Sequence, residues 1–253
     1  MNEENNSKGI ILVLVSMALF SFQDALIKFV FEKAALYEIY FGRTFIASVI
    51  LGTYLFIKKQ KIKFKTEYPF LTAIRVLLHF FAFSFFFISL TYMSLAMANA
   101  LFFSSPFFIS IFAKFFLNEQ IGIRRWSAIF LGFIGIFIVL NPDFSEFEYK
   151  NLLPVLCAFF YAISMTITKI TSDKDNLYTQ LFYFYTLAIG LCLIIFFIFG
   201  SGEFNKYNDP TMQFIFREWF SNTTYAWKYI LIMGATASIS FVCIFKAYSS
   251  YSP

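Results

Sequence analysis

Three groups of residues in this sequence have the types and spacing to handle a charged or polar solute. The first is Gln23, Asp24 and Lys28, set in the last third of an apolar run from Gly9 to Phe31. Asp24 and Lys28 are four apart, so on a helix they share a face and each reduces the other's desolvation cost. The second is Arg43, five residues beyond Glu38 in the next apolar run. The planar guanidinium fork suits a carboxylate or phosphate, and Asp24 suits a cationic group or a proton. The third is His79, the chain's single histidine, four residues beyond Arg75. Histidine changes charge near neutral pH, which allows coupling to protons. Plainer roles stand beside each. Asp24 and Lys28 can neutralise one another while Lys28 snorkels to the interface. Asp24 and Arg43 can form an ion pair that locks two helices. Arg75 can snorkel, and His79 can be hydrogen-bonded between helices.

These groups matter because of where they sit. The chain is 59% hydrophobic, 23% aromatic and 14% charged, with a mean hydropathy of +0.69. A soluble domain carries about a quarter charged residues, so the composition is that of a membrane protein. Spanning hydrocarbon takes about 20 apolar residues, and runs of that length predict about eight spans. They are Gly9–Phe31, Leu36–Ile57, Tyr68–Thr91, Ala96–Leu117, Ile123–Leu140, Leu152–Ile170, Thr179–Phe199 and Trp227–Ala247. The first run is too long for a signal peptide and no cleavage pattern follows it, so it is expected to remain as a spanning helix. At about 1.5 Å per residue, Asp24 lies roughly 22 Å from Gly9 and Arg43 about 10 Å from Leu36. A charge at such depth costs about 2.5–3.5 kcal/mol on insertion scales. The sharper reading is therefore a cavity beside Asp24, Lys28 and Arg43.

Basic residues set the orientation. Lys8, the loop with Lys58, Lys59, Lys61, Lys63 and Lys65, then Lys114, Arg124, Arg125, Lys169 and Lys174 fall on one side. Lys33, Lys150, Lys206, Arg217 and Lys228 fall on the other, with Asp143, Glu146 and Glu148 beside Lys150. Eleven against five places the N-terminus in the cytoplasm. The same clustering in short loops argues against nucleic-acid binding despite the net charge of +5. Cys157, Cys192 and Cys243 each stand alone in apolar runs and read as small hydrophobes. No metal-ligand or acid–base spacing and no Gly-rich phosphate loop is present, so neither an enzyme nor a cofactor is expected.

Other elements bear on the site. Asn99 and Ser104-Ser105-Pro106 lie in the fourth run, where proline frees a carbonyl and breaks the helix. A broken spanning helix points to a transporter's binding site, so Ser104 and Ser105 join the candidates. Glu119 is expected to bridge to Arg124 or Arg125, and Gly132 and Gly135 to allow close helix packing. In the long seventh loop, Asp209-Pro210 reads as a stop for regular structure.

The sequence also repeats itself. Ala18–Lys28 lies over Phe159–Lys169, and the same offset puts Leu36-Tyr37 over Leu177-Tyr178 and Phe41 over Phe182. Later, Tyr92-Met93-Ser94 resembles Tyr248-Ser249-Ser250. Tyr161 and Ser164 fall in the repeated stretch and are further solute-contact candidates, while Met165 stands where Asp24 does. A five-helix unit makes residues 1–142 the first copy and 150–253 the second, inverted in the membrane. The second copy then lacks its last two helices.

Several stretches carry a resemblance: F-S-F-Q-D-A-L-I-K at Phe20–Lys28, E-I-Y-F-G-R at Glu38–Arg43, Leu90–Pro106 leading to F-L-N-E at Phe116–Glu119, and Arg124–Pro142. In their order and spacing the chain resembles the EamA-type permeases of the drug/metabolite transporter superfamily. That resemblance implies an all-α inner-membrane carrier with ten spans in two inverted copies, moving small metabolites by alternating access. The Asp-x-x-x-Lys of the first helix and the Arg of the second are similar to a subgroup proposed to carry S-adenosylmethionine. The expectation is a secondary carrier of a zwitterionic or anionic metabolite in the lipid bilayer, with a homodimer left open. Against it stands a shortened, non-transporting remnant or half-assembly that needs a partner chain.

Overall fold

A backbone surrounded by hydrocarbon must satisfy its own N–H and C=O groups, which apolar runs of this length do as helices. The computed structural model describes residues 3–59, 65–140 and 149–250. Lys61, Lys63, Asp143, Glu146, Glu148 and Ser252-Pro253 lie outside the described residues. Among the described residues every regular element is helical: α1 (Glu3–Val30), α2 (Leu36–Ile57), α3 (Pro69–Ser89), α4 (Leu95–Phe102), α5 (Ser105–Phe116), α6 (Ile123–Leu140), α7 (Leu153–Thr171), α8 (Leu177–Phe199), α9 (Pro210–Phe216) and α10 (Thr223–Ser250). Among the described residues, seven stretches are long and apolar enough to cross a membrane: Ser7–Val30, Leu36–Ile57, Pro69–Ser89, Leu95–Phe116, Tyr149–Thr171, Leu177–Phe199 and Thr223–Tyr248. The remaining predicted span is α6, a helix at the expected bounds that is not among these seven. The protein is an all-helical, multi-pass membrane protein.

Local chemistry sets several boundaries. The Ser94 hydroxyl accepts the Met97 N–H at 3.2 Å and starts α4, and Asn176 accepts the Thr179 N–H at 2.9 Å and starts α8. The fourth predicted span is broken where expected. α4 ends at Phe102, α5 begins at Ser105, and the Ser104 hydroxyl donates to the Leu101 carbonyl at 2.7 Å. Pro106 sits in the first turn of α5, where a missing N–H is harmless. The Asp209-Pro210 stop is corrected. Asp209 accepts the Thr211 and Met212 N–H groups, each at 3.0 Å, and with Pro210 it starts α9.

The chain forms two compact units: Met1–Ala73 with Thr171–Pro253, and Ile74–Ile170. In the first, α10 packs on α1, α2 and α8, and α2 also packs on α8. Phe241 of α10 sits against Phe20 of α1 (ring centroids 5.4 Å apart) and Phe184 of α8 (4.8 Å). α2 and α10 approach closely because Gly42 and Gly234 present no side chain. A Cβ on Gly234 would lie 2.5 Å from Ile46 Cβ and 3.1 Å from the Arg43 carbonyl oxygen, and one on Gly42 2.5 Å from Ile230. The packing role assigned to Gly132 and Gly135 is corrected accordingly. Both are exposed, and among the described residues nothing lies within 4 Å of a Cβ at either. In the second unit an aromatic core joins Phe159 of α7 to Phe108 (5.4 Å) and Phe112 (5.5 Å) of α5.

Candidate functional site

In the first unit α1 and α2 each carry a buried ionisable group in the interior, Asp24 and Arg43. Asp24 is 7% exposed and Arg43 1%, and the two charges interact. Neither snorkels, since each lies on the face its helix turns to the other helices. Lys28 does not share that enclosure. It is half-buried, its ammonium lies 5.3 Å from the Phe31 ring centroid, and Glu32 is a charge acting on it. Gln23, about 100° from Asp24 around the helix, turns to α10. Its amide donates to the Ser240 hydroxyl and the Leu19 carbonyl, both at 3.2 Å, and its buried Oε1 has no hydrogen-bond partner among the described residues. Ser16 on the same seam donates to the Ser240 carbonyl at 3.1 Å.

The surroundings of Arg43 were not legible in the sequence. The guanidinium lies 5.2 Å from the Tyr40 ring centroid, within cation–π range. Tyr185 and Cys192 of α8, both buried, lie in its neighbourhood. The Tyr185 hydroxyl is buried without a hydrogen-bond partner among the described residues. Tyr185 and Cys192 are seven apart, hence on one face of α8. The sequence could give that shared face, but not that it meets Arg43.

Both ends of this unit are tied. At one end Arg217 donates to the carbonyls of Phe31 (2.8 Å) and Ala34 (3.2 Å), closing the turn between α1 and α2. Partial burial lowers the pKa of Arg217 from its ordinary value, against the opposing pull of Glu32 and Glu38. Glu38 accepts from the Trp227 indole N–H at 2.9 Å and from its own helix start at Ala35 N–H, 3.4 Å. At the other end, where α8 begins, the buried Asp175 carboxylate accepts the Thr66 hydroxyl and the Glu67 N–H (3.1 Å). Tyr68 donates to Asp173 at 3.0 Å.

The second unit holds its own buried polar group. Arg75 is fully buried, which corrects the expectation that it snorkels. Its guanidinium donates to Thr168 at 3.4 Å, and its carbonyl accepts the Ser164 hydroxyl at 3.1 Å. His79, 1% exposed, stands 5.9 Å from Tyr161 and 4.8 Å from Phe83 by ring centroids, and Tyr161 is 5.4 Å from Phe102 of α4. Three predicted residues (His79, Tyr161 and Ser164) thus meet between α3 and α7, with Arg75 and Thr168 added. Ser105 is buried and Ser104 half-buried at the break between α4 and α5. Glu119 bridges to Arg125 at 3.7 Å, as expected. Among the described residues no cluster of His, Cys, Asp or Glu could hold a metal.

The model of the EamA-like transporter family matches residues 7–141. S-adenosylmethionine uptake transporters of Rickettsia felis and Rickettsia prowazekii are similar to the chain. The first is 33% identical over 69% of this chain and 59% of that protein, the second 27% identical over 95% and 75%. The matched region is thus less than two thirds of the first relative's length. A riboflavin transporter of Vibrio cholerae is 36% identical over 38% of this chain and 32% of its own. One solved crystal structure superposes with a TM-score of 0.72 at 13% identity, covering 98% of this chain and 81% of that one, a likeness of fold.

Proposed function

The chain belongs to the EamA-like transporter family, and on that premise we propose that it is a secondary carrier for a small zwitterionic or anionic metabolite in the plasma membrane. The observation that carries this reading is the buried Asp24 and Arg43 on adjacent spanning helices. Ionisable groups inside a spanning bundle are expensive and mark solute paths. A solute bearing a carboxylate and a cationic centre is complementary to these two groups. Its carboxylate takes the Arg43 fork and its cation takes Asp24, so loading the site gives each buried group an opposite charge. Alternating access then follows from which end of the bundle is released.

S-adenosylmethionine, with its carboxylate, amine and sulfonium, is the cargo to try first, because the two Rickettsia relatives bear that name. Gln23 and Lys28 are assigned as further solute contacts in the first unit; within the second unit Ser104, Ser105, Tyr161 and Ser164 are assigned as solute contacts and His79 as a proton-coupling group. The test is uptake of radiolabelled S-adenosylmethionine into liposomes containing the purified protein, with methionine, nucleosides and riboflavin as competitors. Saturable uptake competed by zwitterions supports the reading. Correctly inserted protein that takes up none of these, and whose melting temperature none of them shifts, sinks it.

A further inference from the structure

A groove of 440 Å³ opens on the first unit between α2, α8 and α10, lined among others by Leu51, Tyr54, Tyr178, Ile239, Cys243 and Lys246. None of the residues that line it is among the sequence candidates. Its relation to Arg43 follows from helical spacing. Along α2, Arg43, Ala47, Leu51 and Tyr54 are three or four apart, and along α8 the same holds for Tyr178, Leu181 and Tyr185. Residues so spaced share one helix face. The faces that line the groove are therefore the faces that carry the buried Arg43 and Tyr185, about 10–12 Å further along each helix. Between groove and guanidinium stand Ala47 and Leu181, both fully buried and neither polar. The groove itself is not uniformly apolar. The exposed ammonium of Lys246 and the hydroxyls of Tyr54, Tyr178 and Ser238 give it one cation and three hydrogen-bonding groups.

We propose that this groove is one mouth of the solute path, where a small carboxylate-bearing metabolite is held on its way to or from Arg43 as Ala47 and Leu181 part. The inference rests on the carrier reading above. Lys246 supplies the attraction for the carboxylate, the tyrosines flank it, and the path runs along the shared faces of α2 and α8. A phospholipid tail is the competing occupant.

The native thiol of Cys243 reports on the groove, because Cys157 and Cys192 are buried. In liposomes taking up S-adenosylmethionine, N-ethylmaleimide, which crosses bilayers, alkylates Cys243 to completion as followed by intact-protein mass. Uptake is expected to fall to that of empty liposomes, and saturating S-adenosylmethionine to slow the labelling. Cys243→Ser, compared with its own untreated rate, is expected to lose that sensitivity. Lys246→Gln is expected to raise KM about two- to fivefold, the size of an exposed charge pair, with kcat little changed. Full alkylation with unaltered uptake overturns the proposal, as does labelling slowed by phospholipid but not by cargo. Both outcomes leave the carrier reading standing, whereas untreated protein that moves no cargo removes the carrier reading itself.

Discussion

Asp24 and Arg43 can be a strut or a binding pair, and stability and transport separate the two roles. Asp24→Asn takes away the carboxylate that offsets a buried guanidinium. Breaking one side of a buried pair costs about 3–5 kcal/mol, whereas replacing both sides is often neutral. Asp24→Asn and Arg43→Gln are each expected to lower the melting temperature in detergent, and the double variant to recover most of that loss. All three are expected to insert in the membrane and to lose uptake. A double variant that is stable and still transports would make the pair a strut and move the site elsewhere. Arg75 differs in kind, since its contacts to Thr168 and Ser164 tie α3 to α7.

At the scale of elements, close approach of α2 and α10 depends on two glycines far apart in sequence. Gly234→Ala sets a Cβ against the Ile46 Cβ and the Arg43 carbonyl, and neither can swing aside as a side-chain tip would. Overpacking of this kind costs about 1–3 kcal/mol. The expected result is a lowered melting temperature for Gly234→Ala and none for Gly132→Ala. Equal effects would mean that the crossing is looser than described. The tie at the start of α8 has its own test. Asp175→Ala leaves the Thr66 hydroxyl and the Glu67 N–H without their acceptor, a loss of about 1–3 kcal/mol if they stay dry. Asp175→Asn keeps one acceptor oxygen and is expected to lie between the two in thermal melts.

For the molecule as a whole, hydropathy made most of the fold legible, because a spanning helix is a local property of about 20 residues. The helix break before Pro106 and the Glu119–Arg125 bridge were legible for the same reason: their causes are neighbours in sequence. Tyr185 beside Arg43, Thr66 on Asp175 and the Gly42 and Gly234 crossing were not, because each joins residues whose proximity only packing creates. Gly132 and Gly135 show the converse, since a small-residue pattern does not say whether a neighbouring helix is there to use it. Arg75 misled because an arginine about 10 Å from a helix end is long enough to snorkel, and nothing local announces the Thr168 that receives it.

Orientation is a property of the whole chain and is written in its loops. The positive-inside rule counts Lys and Arg in short loops rather than net charge. The loop between α2 and α3 therefore dominates, with Lys58, Lys59, Lys61, Lys63 and Lys65. The rule predicts these lysines on the cytoplasmic side together with the N-terminus, and Lys33, Lys206 and Arg217 outside. A single cysteine placed at Lys59 in a cysteine-free background is expected to resist an impermeant maleimide in intact cells and to react once the membrane is opened. A cysteine at Lys206 is expected to react in both. The reverse pattern would set the α2–α8–α10 groove on the outer side and the Glu38–Trp227 tie on the inner.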